Sequence, residues 1–145
     1  MSKKLATRSA QYPLMAEFTF NVLDTMVNTS GANDGFATVA THVFDVINLP
    51  AYATVVGGEV VTESAITGST AYNVSVGDSV SPTRYLSVTD KTTAARTALV
   101  PTGFVGAGEN IRLTVTPTVA ASTGGTITLR VMYVIRGRGN EVQAA

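Results

Sequence analysis

Residues 111–136 read IRLTVTPTVAASTGGTITLRVMYVIR, and the alternation inside this stretch decides the fold class. Ile111, Leu113 and Val115 alternate with Arg112, Thr114 and Thr116. After a small-residue loop, Ile127, Leu129, Val131, Tyr133 and Ile135 alternate with Thr126, Thr128 and Arg130. Side chains at i and i+2 of a strand share a face, so period two over this length predicts two strands, each apolar on one side. The pattern further predicts that they pair as an antiparallel hairpin, with Arg and Thr turned to water. Gly124 and Gly125 supply the positive-φ freedom needed for a reversal over residues 118–125.

Composition extends the β reading to the whole chain. Its 145 residues include 22 Thr and 20 Val, β-branched types that fit a pleated strand better than a helix. That length suits one domain, which buries about two-thirds of its unfolded surface without metal or disulfide. Charged residues make up 14%, against a usual share of about 25%. Either part of the surface meets protein, or threonines cover the exterior. Ten basic and ten acidic side chains cancel, so no long-range field draws in nucleic acid or an anionic membrane. The lack of cysteine removes disulfides, thiolate catalysis and cysteine-ligated zinc. The first residues, MSKKLATRSAQYPL, have no apolar signal core, and no run of about 18 apolar residues is present to span a bilayer. The expectation is a protein made and used on the cytoplasmic side, or released by lysis.

Along the chain, the reading divides into an N-terminal arm (residues 1–13), a β-sandwich domain (14–136) and a C-terminal tail (137–145). Lys3, Lys4, Leu5, Arg8 and Tyr12 lie among small residues with neither period. Either a partner holds this arm, or it docks on its own domain as a turn or strand. Residues 14–23 predict a strand with Ala16, Phe18, Phe20 and Val22 on one side, and residues 24–35 a long loop. Residues 38–49 are apolar on both faces, which requires either burial between two layers or a bulge that switches faces. Pro50 ends that strand. Gly57-Gly58 interrupts a strand over residues 53–66 and is read as a bend where the strand turns the corner between sheets. A short strand follows over residues 72–76. The period fades over residues 84–99, where KTTAARTAL has room for one or two helical turns, and residues 99–105 suit a short edge strand. About eight strands with frequent turns predict an all-β fold, an antiparallel β-sandwich of jelly-roll type.

Chemistry is sparse. His42 is the single histidine, which excludes a multi-histidine metal site and, within an apolar strand, reads as a hydrogen-bonded structural residue. The carboxylates are scattered, and Asn28 to Asp34 (NTSGAND) matches a calcium loop only in part. Gly106-Ala107-Gly108 precedes a strand and is no phosphate loop. Arg136-Gly137-Arg138-Gly139 lacks stacking aromatics, so a tail that hydrogen-bonds a protein neighbour is favoured over nucleic-acid binding. No catalytic residues, metal ligands or cofactor are expected.

INLPAYATVVGGEVV (47–61), YNVSVGDSVSPTRYL (72–86), TAARTALVPTGFV (93–105), ENIRLTVTP (109–117) and TLRVMYVIRGRGNEVQ (128–143) appear in this order. The succession resembles the jelly-roll head cement or decoration proteins of tailed bacteriophages over residues 40–143, with a longer loop at 24–35. The resemblance implies a non-enzymatic virion protein, made in the host cytoplasm, that binds the outer surface of the head and bridges major capsid subunits. It also implies contacts with other copies of itself, as a dimer or trimer, and no nucleic-acid or membrane partner. Lys3, Lys4, Leu5, Arg8, Tyr12, Arg136, Arg138, Asn140 and Glu141 are the expected protein-interface residues. Two other classes compete. A tail, neck or fibre component would bind carbohydrate or receptor through loops 24–35 and 65–71, although Trp is absent. A cupin-like enzyme would need several His and Glu ligands.

Overall fold

The computed structural model describes residues 13–136, and every strand and ribbon among them is β. The strands are β1 (Leu14–Asn21), β2 (Thr25–Val27), β3 (Asn33–Gly35), β4 (His42–Ile47), β5 (Ala53–Thr67), β6 (Ala71–Gly77), β7 (Leu86–Asp90), β8 (Arg96–Ala98), β9 (Ile111–Thr118) and β10 (Gly124–Ile135). Two four-stranded antiparallel sheets run in the orders β1-β10-β5-β8 and β4-β9-β6-β7, and β2 and β3 form a separate ribbon. Apart from the ribbon, the first strand pairs with the last, the second with the seventh, the third with the sixth and the fourth with the fifth. Such nesting is one long antiparallel hairpin rolled up, with alternate nested pairs falling in opposite sheets. That is the jelly-roll topology the strand pattern predicts.

The pairing of β9 with β10 is a correction. β9 lies between β4 and β6, whereas β10 lies between β1 and β5 in the other sheet. Their apolar rows therefore face each other across the core instead of lying side by side. Leu113, Val115, Ile127, Leu129 and Val131 are fully buried, and Ile111 nearly so. Alternation fixes which face of a strand is apolar but not which strand becomes its neighbour; opposing the rows buries both, and gives each strand two ladder partners. The loop between them crosses from sheet to sheet with the non-glycine Val119 at φ 71°, and Gly125, at the start of β10, has φ 127°.

Four further expectations shift. Gly57-Gly58 is no corner, since β5 stays in one sheet throughout; the ladder slips there, leaving Val56 unopposed between Val55 and Gly57, a bulge against β10. Residues 91–99 hold no helical turn. The buried Lys91 ammonium donates to the Ala95 carbonyl (2.8 Å) and the Thr97 hydroxyl (3.0 Å), pinning this loop in an open form that leads into β8. Residues 99–105 contribute only one isolated bridge, Val105 with Thr54, because Pro101 cannot donate to a ladder. Residues 24–35 contain the β2–β3 ribbon. In β4 the bulge alternative holds: the register shifts between Asp45 and Ile47, so that His42, Phe44 and Ile47 all point inward.

A row of rings closes the side of the sandwich between β1 and β4. Phe18, Phe20, Phe36 and Phe44 follow one another with centroid separations of 5.8, 4.3 and 4.3 Å. Phe36 comes from the β3–β4 connection and plugs the gap between the sheets. The Tyr72 hydroxyl holds it there by donating to the Phe36 carbonyl at 2.9 Å. Burial pushes that hydroxyl's pKa up, keeping it a donor at any ordinary pH.

Candidate interaction surface

Strand parity sends one set of polar side chains to the outside of the β1-β10-β5-β8 sheet. Glu17 opposes Arg130, which opposes Glu59, and Arg96 of β8 reaches Glu59 from the far side. The Arg130 guanidinium donates to Glu17 at 2.8 Å and to Glu59 at 3.0 Å, and lies 3.6 Å from Glu63. The Arg96 hydrogen bond, then that of Arg130, holds the Glu59 carboxyl below its ordinary range. Thr128 donates to Glu63 at 2.8 Å and pairs with Thr19 at 2.9 Å. Three carboxylates thus share two guanidinium groups in a belt four strands wide. Beside the belt Met15, Met132 and Gly58 border a shallow hollow of about 210 Å³.

The opposite sheet presents a plainer face. Arg112 grips Asp45 with two nitrogens at 2.9 and 3.3 Å, a forked geometry matched to a carboxylate. Thr114, Thr116 and Thr118 continue the outward row of β9. Of the two alternatives offered by the low charge content, the threonine cover has a physical form on this face.

The third feature is the margin of the roll at β1. Phe18, Phe20, Leu23, Asp24, Met26 and Phe36 line an open groove of about 540 Å³ between β1 and the β2–β3 ribbon. Leu23, one of its lining residues, stands exposed.

His42 is structural. Its Nδ1 lies 3.0 Å from Asp34, and its Nε2 3.0 Å from the Thr38 carbonyl. The Asp34 side chain also accepts from Asn28, so the polar groups of residues 28–34 are tied to one another and to His42. Among the described residues no three His, Asp or Glu side chains gather as a metal site.

Of the interface residues expected from sequence, only Arg136 lies within the described residues. It is exposed, and its amide donates to the Tyr52 carbonyl at 2.9 Å, tying the end of β10 to the start of β5. Lys3, Lys4, Leu5, Arg8, Tyr12, Arg138, Asn140 and Glu141 lie outside them. The belt of Glu17, Arg130, Glu59 and Arg96 escaped sequence reasoning. Its only sequence signal is that each residue falls at an outward parity, and the cross-strand register that joins them is invisible without the topology.

The chain matches no protein-family model and no curated protein sequence. Among solved structures it is similar to a chain of the cyanophage Pam1 capsid asymmetric unit, with a TM-score of 0.58 at 19% identity over 92% of this chain and 94% of that one. A chain of the capsid of Ralstonia phage GP4 gives a TM-score of 0.57 at 14% identity, covering 93% and 91%. This fold is shared with phage capsid chains. The likeness runs nearly end to end in both partners, so the roll is matched as a whole and not through one sheet.

Proposed function

We propose that this protein is a structural component of a bacteriophage virion, a cement or decoration protein that binds the outside of the head shell and bridges neighbouring major capsid subunits. The observation that supports it above the others is the match, over more than nine-tenths of both chains, to chains of two phage capsids. Two broad sheet faces, one crossed by a self-compensated ionic belt and one covered largely by threonine, support this reading as surfaces for protein contact. A protein that binds assembled shells and not free subunits lowers the free energy of the assembled state by mass action. Modest contacts suffice when each copy touches several subunits.

In this reading the partners are the major capsid protein and other copies of this chain, in a dimer or trimer, without nucleic acid or membrane. The terminal residues, Lys3 to Tyr12 at one end and Arg136 to Glu141 at the other, make part of those contacts. The protein acts on the head surface after synthesis in the host cytoplasm, and catalyses nothing.

Copy number on purified particles is the test. Shell cement requires on the order of hundreds of copies per virion, since each acts only locally. A dozen or fewer would instead place the protein in the tail, neck or fibres. Shells stripped of it should also burst at lower temperature and recover when the purified chain is added back; no recovery would count against the proposal.

A further inference from the structure

On the outer face of the β1-β10-β5-β8 sheet the side chains fall in rows that cross the strands. Pairing sets Glu17, Arg130, Glu59 and Ala98 in one row, with Met15, Met132 and Gly57 in the row on one side and Thr19, Thr128, Val61 and Arg96 in the row on the other. The Arg96 guanidinium reaches back to Glu59, so the charges read acid, base, acid, base across the sheet. Each strand carries one sign only: Glu17 in β1, Arg130 in β10, Glu59 and Glu63 in β5, Arg96 in β8. The two end groups are the most exposed of the line, Glu17 at 53% and Arg96 at 62%. Among the described residues each has one ionic partner, Arg130 for Glu17 and Glu59 for Arg96.

A line of alternating sign with opposite ends is its own complement when turned end for end. We propose that this face packs on the same face of a second copy, about a two-fold axis that runs along the strands between β10 and β5. The rotation keeps each row and reverses its order, so β1 lies over β8 of the second copy and β10 over its β5. Glu17 leans inward to Arg130 and Arg96 inward to Glu59, which brings Glu17 against Arg96 of the second copy. Arg130 likewise meets Glu59 of the second copy, and each contact occurs twice. In the neighbouring row the adaptable Met132 comes over Gly57 of the second copy, which has no side chain to oppose it. Packed sheets keep their strands within about 30° of each other, which leaves one other axis, across the strands. That axis sets every strand on itself, where acid meets only acid and base only base, so charge selects the first. Glu63 accepts from Thr128 of β10 and so leans toward the axis, where it meets itself and opposes the pair. Four strands about 4.8 Å apart and eight residues long bury roughly 500 Å² per copy, at the lower limit of a specific interface. The pair is therefore weak in free solution and is strengthened where a shell holds copies close together. The inference rests on the self-contact in the proposed function and assigns it a face.

Sedimentation of the full-length chain without shells should show a reversible monomer–dimer equilibrium with a Kd on the order of 10–100 μM. Glu17→Arg and Arg96→Glu should each weaken self-association about tenfold or more, because each then meets its own sign in the second copy. An equimolar mixture of the two variants should regain it as a heterodimer, in which both end contacts again join opposite signs. Each variant folds the same way alone and mixed, so the gain reads only the contact between copies. Should either reversal fail to fold by circular dichroism, Met132→Glu takes its place: a carboxylate set over Gly57 and beside Glu59 of the second copy should weaken association about tenfold. Glu63→Gln should instead strengthen it about threefold. A chain still monomeric at about 1 mM, a trimer, single variants that associate as the parent does, a mixture no better than its components, or weakening by Glu63→Gln would each overturn the face-to-face pair. A monomer that binds shells would sink this inference alone, and a dimer that binds no shell would sink the virion reading alone.

Discussion

Gly58 of β5 lies so close to Arg130 of β10 that a β-carbon on it would come within 2.2 Å of the Arg130 carbonyl oxygen. Its φ of +141° is also one that side-chain-bearing residues rarely adopt. Gly58→Ala should therefore cost about 3 kcal/mol, from backbone strain and displaced β10 together. Gly57→Ala meets only the mobile tip of Met132, at 3.1 Å, and should cost less than about 1 kcal/mol. Thermal melts of the two variants check the contrast; equal losses would mean that the close approach at Gly58 has no energetic weight.

Leu129 is fully buried at the centre of its sheet, opposite Phe18 on one side and Val60 on the other. Leu129→Asp places an unpaired carboxylate there and should cost more than about 4 kcal/mol, enough to unfold the domain. Circular dichroism indistinguishable from that of the parent would refute the face assignment of β10.

Tyr72→Phe keeps the ring in the core but removes the donor to the Phe36 carbonyl. Leaving that buried acceptor unpaired should cost about 1–2 kcal/mol. The urea midpoint should fall while the slope stays constant, since the surface exposed on unfolding is nearly unchanged. A Phe36 held by its ring contacts alone would show no shift.

Acid should loosen the fold through Asp78 and Asp34. Burial pushes the Asp78 carboxyl up, but the Arg84 guanidinium and the Ser81 and Val80 amides outweigh it and hold it below 3.8. The His42 hydrogen bond does the same for Asp34. A carboxyl depressed in the folded state stabilises fully above its unfolded value and loses that contribution as pH falls through the folded one. Stability from these two groups should thus be flat above about pH 5 and decline below about pH 4. Asp78→Asn should flatten part of that decline in pH-dependent melts; an unchanged acid limb would remove Asp78 from the account.

Much of the fold was legible because alternation is a local signal. Leu113, Val115, Leu129 and Val131 are buried where period two places them, and the bulge at Val46 answers the doubly apolar run around Phe44. Pairing was not legible. Nothing between Thr118 and Gly124 states whether the chain turns back beside β9 or crosses to the opposite sheet, because that choice depends on which apolar rows elsewhere need covering. The weak period over residues 84–99 has two causes: the Lys91 ammonium holds the loop through nearby Ala95 and Thr97, and the short strand β8 is fixed by distant β5. The unpatterned basic ends carry no signal for the Glu17–Arg130–Glu59–Arg96 belt, whose assembly follows from sheet order alone.

The nesting of first strand with last has a temporal side. Glu17 and Arg130 are separated by 113 positions, so β1 finds its neighbour only after more than a hundred further residues have been synthesised. Closing so large a loop is entropically slow. Until β10 arrives, both margins of β1 lack their ladder partners within the described residues. Expression in that interval should favour low temperature and the presence of chaperones, and the yield of soluble protein should be governed by how quickly the last dozen strand residues are captured.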